Sequence, residues 1–279
     1  MEKLRPSGAI VAASPAGSPS TRNVSGRSLS CAGNVSVTVT GRVARLGSVL
    51  GVLYLIFNEG YSATAGDDWT RPELCAEAMR LGRVLARLAP EEPEVHALVA
   101  LMEIQASRLA ARTDRSGEPI LLSDQDRSRW DWLLIGRGLA ALDRTMALGG
   151  AGGAYALQAA IAACHARARK AEDTDWSMIA RLYDALLALT PSAVVALNRA
   201  VAVSMAEGPA AALPLIDAIK DERALRDYHL LYGVRGDILG RLSRHGEAAA
   251  EFRRAAGLTR NARERDFLLA RAESAEALA

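Results

Sequence analysis

The feature that most restricts this chain is a pattern that returns after 36 residues. Ala200, Ala212, Ile216 and Ile219 are matched by Gly236, Ala248, Phe252 and Ala255: small, small, large, apolar, at spacings of twelve, four and three. Between the first and second members the chain breaks at Gly208–Pro209, a left-handed stop followed by a residue suited to the first turn of a new helix. Each set therefore reads as two short helices folded back on one another. The small residues let the helices approach closely, and the large one fills the gap between them.

A shift of 36 residues lies close to the ~34-residue period of tetratricopeptide helix hairpins. Residues 149–279 accordingly read as a tetratricopeptide-like array, a right-handed α-superhelix. A first, degenerate hairpin precedes Pro191, and a last amphipathic helix over 262–277, capped by Asn261 with Glu264, closes the stack. GGAGG at 149–153 marks the sharpest internal break and sets off a helical lobe over 42–148. In that lobe GRVARLGSVLGVLYLIF is apolar nearly all round, which predicts a helix buried on most sides. A loop over 58–72 follows. Thr70 with Glu73 predicts a capped helix whose inner face is Leu74, Ala78, Leu81, Leu85 and Leu88. Pro93 opens another helix through Arg112. A turn at Asp114–Gly117 leads into a short extended piece, and Ser123 with Asp126 predicts the start of a long helix through Ala147. Thr174 reads as the cap of a helix over 175–189. The Ser-, Gly- and Pro-rich residues 1–41 read as a disordered leader, with VSVTVT at 35–40 as a possible short strand. The fold class is all-α.

Composition excludes more than it proposes. The net charge of +2, from 34 basic and 32 acidic residues, leaves no global nucleic-acid footprint. The three cysteines are scattered and fit no disulfide or zinc spacing, so a reducing cytoplasm is the expected location. The longest apolar run, Leu46 to Phe57, falls short of the ~20 residues of a membrane span. The four histidines lie in different elements and make no H-E-x-x-H, so no metal is expected. GGAGG lacks the Lys and Ser/Thr of a phosphate loop, and no cofactor is expected. Cys164 and His165 are neighbours on a helix and point ~100° apart, which reads as a buried thiol beside a half-buried imidazole rather than a catalytic unit.

Two polar groups and one groove stand out. Asn58, Glu59 and Tyr61 follow the apolar helix and offer an amide, a carboxylate and a phenol for a partner, or caps for neighbouring helix ends. Asp124, Gln125, Asp126, Arg127 and Trp130 make a second group, with the same two readings. In the array, Val194, Leu197, Asn198, Val201, Leu230, Gly233 and Asp237 are aligned with the concave groove. Of these only Asn198 suits a clamp for a peptide carboxylate. A groove so apolar is expected to be filled by the protein's own helices.

LYLIFNEGY (53–61), PEEPEVHALVALM (90–102), LLSDQDRSRWD (121–131), QAAIAACHA (158–166), DTDWSMIARLYDAL (173–186) and PSAVVALNRAVAV (191–203) occur in order at family-like spacing. Together they resemble the C-terminal tetratricopeptide-like extension of a group of bacterial extracytoplasmic-function sigma factors, from Arg42 to the C-terminus. The resemblance implies a role in transcription initiation or its regulation, with RNA polymerase or sigma-region contacts as partners. It departs from the family in residues 1–41, which hold no helix-turn-helix pattern and no basic recognition helix. A truncated product, a mis-called start and a stand-alone extension all fit that departure. The expectation is a non-enzymatic, partner-binding chain with no specific DNA binding of its own, no membrane contact and no evident small-molecule ligand. A stand-alone interaction scaffold, and an enzyme with a pocket between the lobes, are the competing classes.

Overall fold

Proline and glycine set several of the helix boundaries, and the all-α expectation holds. The computed structural model describes residues 35–64, 70–115, 117 and 119–279, with side chains from residue 45 onward. Among the described residues eleven α-helices follow one another: α1 (Val35–Tyr61), α2 (Pro72–Leu88), α3 (Pro93–Ala106), α4 (Trp132–Ala147), α5 (Ala154–Arg167), α6 (Trp176–Leu189), α7 (Ala193–Ala206), α8 (Pro209–Ile219), α9 (His229–Arg241), α10 (His245–Leu258) and α11 (Ala262–Glu276). No strand occurs among them; a single bridge joins Thr113 to Pro119, just past the turn in which Gly117 N–H donates to the Asp114 carbonyl.

The array is built as its repeat suggests. Glu207 ends α7, Gly208 takes a φ of 101°, and Pro209 opens α8. Ala200, Ala212, Ile216, Ala248, Phe252 and Ala255 are all buried in one core with Leu197, Leu231 and Leu239. Asn261 caps α11 by accepting from the Glu264 N–H at 3.1 Å.

α3 is the centre of the first lobe. Every residue from Ala97 to Ala106 is buried, and α1, α2, α4 and α5 all lie against it. Glycines set the approach. A β-carbon at Gly138 would stand 2.5 Å from Ile104 Cγ1, and one at Gly82 would stand 2.7 Å from Met102 Cε. α2 packs through much of its predicted face: Ala78 is buried together with Cys75, Met79 and Gly82, and Leu81 and Leu85 lie against the core, whereas Leu88 is exposed. In GGAGG, positions 150 and 153 abut Pro93 and Glu94 at the start of α3. α5 then continues the same core through Tyr155, Ala156, Ala159, Ala162, Ala163 and Ala166.

Several predicted boundaries move. The backbone is helical from Val35, so the expected strand at 35–40 lies inside α1, as does the end of the expected leader; residues 1–34 lie outside the described residues. α1 continues to Tyr61, which puts Asn58 and Glu59 in its last turn rather than in a loop; residues 65–69 of the predicted loop also lie outside the description. Thr70 does not cap α2, whose first turn follows Arg71 without a side-chain cap. Asp126 caps only the short 3-10 turn Arg127–Arg129, and Asp131 caps α4 by accepting from the Leu133 and Leu134 N–H groups. Likewise Asp175, not Thr174, accepts from the Met178 N–H at the start of α6. At α4 and α6 the side chain directly adjoining the first turn takes the cap. Nor is α1 buried on most sides: Leu50, Leu53, Tyr54 and Phe57 face the core, while Val49, Val52 and Leu55 face outward.

Candidate functional site

The stretch EVHALVALMEIQASRLAAR does not run as one helix. Ser107 Oγ donates to the Ile104 carbonyl at 2.6 Å, the Ser107 carbonyl accepts from the Asp131 N–H at 2.8 Å, and the chain leaves α3 for a 3-10 turn at Leu109–Ala111. This break turns Arg108 inward, where it is 4% exposed. Its guanidinium carbon lies 5.8 Å from the ring centre of Tyr61 and 6.0 Å from that of Trp130. Tyr61 and Trp130, far apart in sequence, thus flank one cation.

Arg112 and Arg127 complete the surroundings. Arg112 stacks 3.7 Å over the Tyr61 ring and donates to the Tyr61 carbonyl at the end of α1. Arg127 lies 4.5 Å over Trp130 and donates to the carbonyls of His165 and Ala168, each at 2.6 Å. Both close a helix C-terminus, whose last carbonyls lack intrahelical partners and whose dipole favours a cation. Arg241 repeats the device on α7 through the Ser204 carbonyl at 3.2 Å. The arginine-rich composition therefore finds a structural use.

Arg108 caps nothing. Its Nε is sealed from solvent without a hydrogen-bond partner, as are Trp130 Nε1 and His165 Nε2. Among the described residues no carboxylate stands within ion-pair distance of Arg108, Arg112 or Arg127; the buried carboxylate of Glu103 pairs instead with Arg83 at 2.6 Å. The electrostatics record the crowding. Burial, then the charges of Arg108 and Arg127, hold the His165 imidazole well below its ordinary range. Burial and then Arg108 likewise lower Arg127. His165 is fully buried rather than half-buried, edge-on to Trp176 at 5.0 Å. Beside it burial pushes the Cys164 thiol up. A raised thiol next to a depressed imidazole is the opposite of an activated thiolate pair.

The predicted site residues divide. Tyr61, Arg127 and Trp130 meet around Arg108. Gln125 is buried nearby in sequence, its Nε2 donating to the Ile120 carbonyl at 3.3 Å. Glu59 accepts from Thr64 Oγ1 at 2.9 Å and pairs with Arg71 at 3.1 Å, tying the α1 terminus to the start of α2. Asn58 is half-buried, and Asp124 and Asp126 are exposed. Asn198 lies elsewhere, buried on α7. In the array, Gly233 and Asp237 of α9 face α11, where Leu268 approaches position 233 and Arg271 pairs with Asp237. Sequence reasoning missed Arg108 and Arg112 and set His165 aside; the serine ahead of Arg108 in a helical stretch was the available signal.

Among the described residues no helix is long and apolar enough to cross a membrane, and no group of His, Cys, Asp or Glu has the arrangement to hold a metal ion.

No solved structure matches the chain. Over 227 residues it is 47% identical to an uncharacterized protein of Rhizobium meliloti (strain 1021), an alignment covering 81% of this chain and 53% of that protein. The chain thus spans about half the length of the curated relative it matches. Residues 45–146, which include Tyr61, Arg108, Arg112, Arg127 and Trp130 but not His165, match a family described as of unknown function, DUF6596.

Proposed function

We propose that this chain is a protein-binding helical module, the C-terminal extension of a longer sigma-factor-like protein, acting in transcription initiation or its regulation. The observation that carries the reading is the outer face of α1, where Val49, Val52 and Leu55 are 46%, 56% and 54% exposed. The backbone at Gly47 and Gly51 is open as well: a β-carbon at either would meet nothing within 4 Å. A row of exposed apolar side chains on a bare helix is a contact face. Its occupant in this reading is the promoter-reading half that such an extension follows. The ordered resemblance over six stretches supports this, as does a relative with nearly as much chain again. The module carries no catalytic step of its own.

The test is run-off transcription with core polymerase. The chain alone is expected to start no transcript, whereas a fusion to an intact sigma region starts transcripts at its promoter. Val52→Asp in the fusion, at an exposed position that leaves the fold intact, is expected to lower that activity. Initiation by the chain alone overturns the reading. Full activity of a folded Val52→Asp fusion removes α1 as the contact face.

A further inference from the structure

We propose that Arg108, Trp130 and His165 form a binding site for a small oxyanion, the oxygens of a carboxylate or of a phosphate group. The inference stands apart from the role in transcription. It rests first on Arg108, a guanidinium 4% exposed that donates no hydrogen bond among the described residues. A buried charge without a partner is among the costliest arrangements in a protein, and natural folds supply one. Its neighbours have acceptors: the half-buried Arg112 has the Tyr61 carbonyl, and the buried Arg127 has those of His165 and Ala168.

Two further sealed nitrogens make the independent observation. Trp130 Nε1 can only donate, is buried, and has no acceptor; His165 Nε2 is likewise sealed without a partner and donates in one of its two neutral tautomers. The missing partner must therefore accept hydrogen bonds. A negative group fits, because Arg108, Arg112 and Arg127 gather there with no carboxylate of the described residues within ion-pair distance, and Asp173 and Glu172 offset only part of the depression that burial and Arg108 impose on Arg127. The ring centres of Tyr61 and Trp130 lie 5.8 and 6.0 Å from the Arg108 guanidinium carbon, and so apolar a setting strengthens any charge placed there. A planar guanidinium matches the paired oxygens of a carboxylate or phosphate. The tight burial of Arg108 and Trp130 restricts the ligand to a single such group.

The experiment is calorimetric titration of the full chain in chloride buffer with sodium phosphate and, separately, sodium acetate. Direct binding is read rather than melting, because phosphate also stabilises proteins non-specifically. The expected result is saturable binding of one of the two at one site per chain, and which of them binds identifies the group. Arg108→Gln is expected to weaken it at least about tenfold, as is usual for a lost charged hydrogen bond. Arg80→Gln, at an exposed arginine paired with Glu77, leaves it unchanged. If Arg108→Gln does not fold, Trp130→Phe removes only the indole N–H and is expected to weaken binding. In the wild type, the bound anion is expected to raise the His165 titration midpoint, followed by proton NMR. Absence of saturable binding by both anions overturns the proposal and leaves water to meet these donors. Unchanged affinity in folded Arg108→Gln, or in Trp130→Phe with no change at His165, also overturns it.

Discussion

A β-carbon placed on Gly236 would stand 2.8 Å from Cε1 of the Phe252 ring, so α9 and α10 touch through a glycine and the face of an aromatic. Even Gly236→Ala is therefore expected to cost about 1–3 kcal/mol by overpacking. Phe252→Ala, at a ring 1% exposed, is expected to cost about 3–5 kcal/mol. The double variant should lose less than the sum, because the new methyl enters the space the ring vacates. Urea midpoints of the wild type, both single variants and the double variant measure this; strict additivity would show that the two residues do not share the gap.

Arg127 has two duties that lysine cannot combine: it stacks on Trp130 and reaches both the His165 and Ala168 carbonyls. Arg127→Met is expected to destabilise by about 2–4 kcal/mol, from buried carbonyls left without donors. Arg127→Lys should recover less than half of that loss. Chemical denaturation of the variants decides, and full recovery by lysine would reduce Arg127 to a point charge.

His165 links stability to pH. Its folded-state value lies well below the ordinary 6.5, so above about that pH the imidazole is neutral both folded and unfolded. Below it only the unfolded chain takes up the proton. Stability is therefore lost as pH falls from about 6.5 toward the folded value, at up to about 1.4 kcal/mol per pH unit. His165→Gln should flatten that part of the profile. Denaturation of both proteins at pH 7.5 and 5.5 checks it, and parallel profiles would mean that the folded imidazole accepts the proton at little cost.

Asp237 and Arg271 tie α9 to α11 as an ion pair with side chains 7% and 13% exposed, and Arg271 also lies 4.4 Å over Phe252. Asp237→Ala leaves that cation without its partner and is expected to cost about 3–5 kcal/mol. Removing both charges in Asp237→Ala/Arg271→Met should be milder than Asp237→Ala alone. Thermal melting orders the three proteins, and a double variant worse than Asp237→Ala would show that Arg271 acts mainly through its contact with Phe252.

The array was legible because its contacts are made by the residues that carry the repeat. Gly236 and Phe252 announce a close crossing in their sizes alone. α1 was not, since GRVARLGSVLGVLYLIF reads as apolar on every side and composition cannot say which side has a neighbour. Asp131 was passed over for Ser123 with Asp126 because both offer cap signals near one helix start, and only the backbone decides which residue adjoins the first turn. Tyr61 and Trp130 were singled out separately, each for its local setting. Arg108, which joins them, sits in a stretch of unbroken helical periodicity, and the break at Ser107 is made by a hydroxyl and by the Asp131 amide from a later segment.

α5 divides its side chains between two cores: Ala156, Ala159 and Ala162 face the first, while Leu157 and Ile161 face a middle cluster with Ile179 and Tyr183. α7 does the same one step on, with Val195 and Ala202 in the middle cluster and Leu197 and Ala200 in the last. Each of these helices is a party wall, so neither end of the stack can melt without stripping one side of a helix its neighbour still needs. Heat should consequently take the described chain apart in one calorimetric transition, and cutting it at Gly149 should yield two fragments that precipitate rather than two that fold.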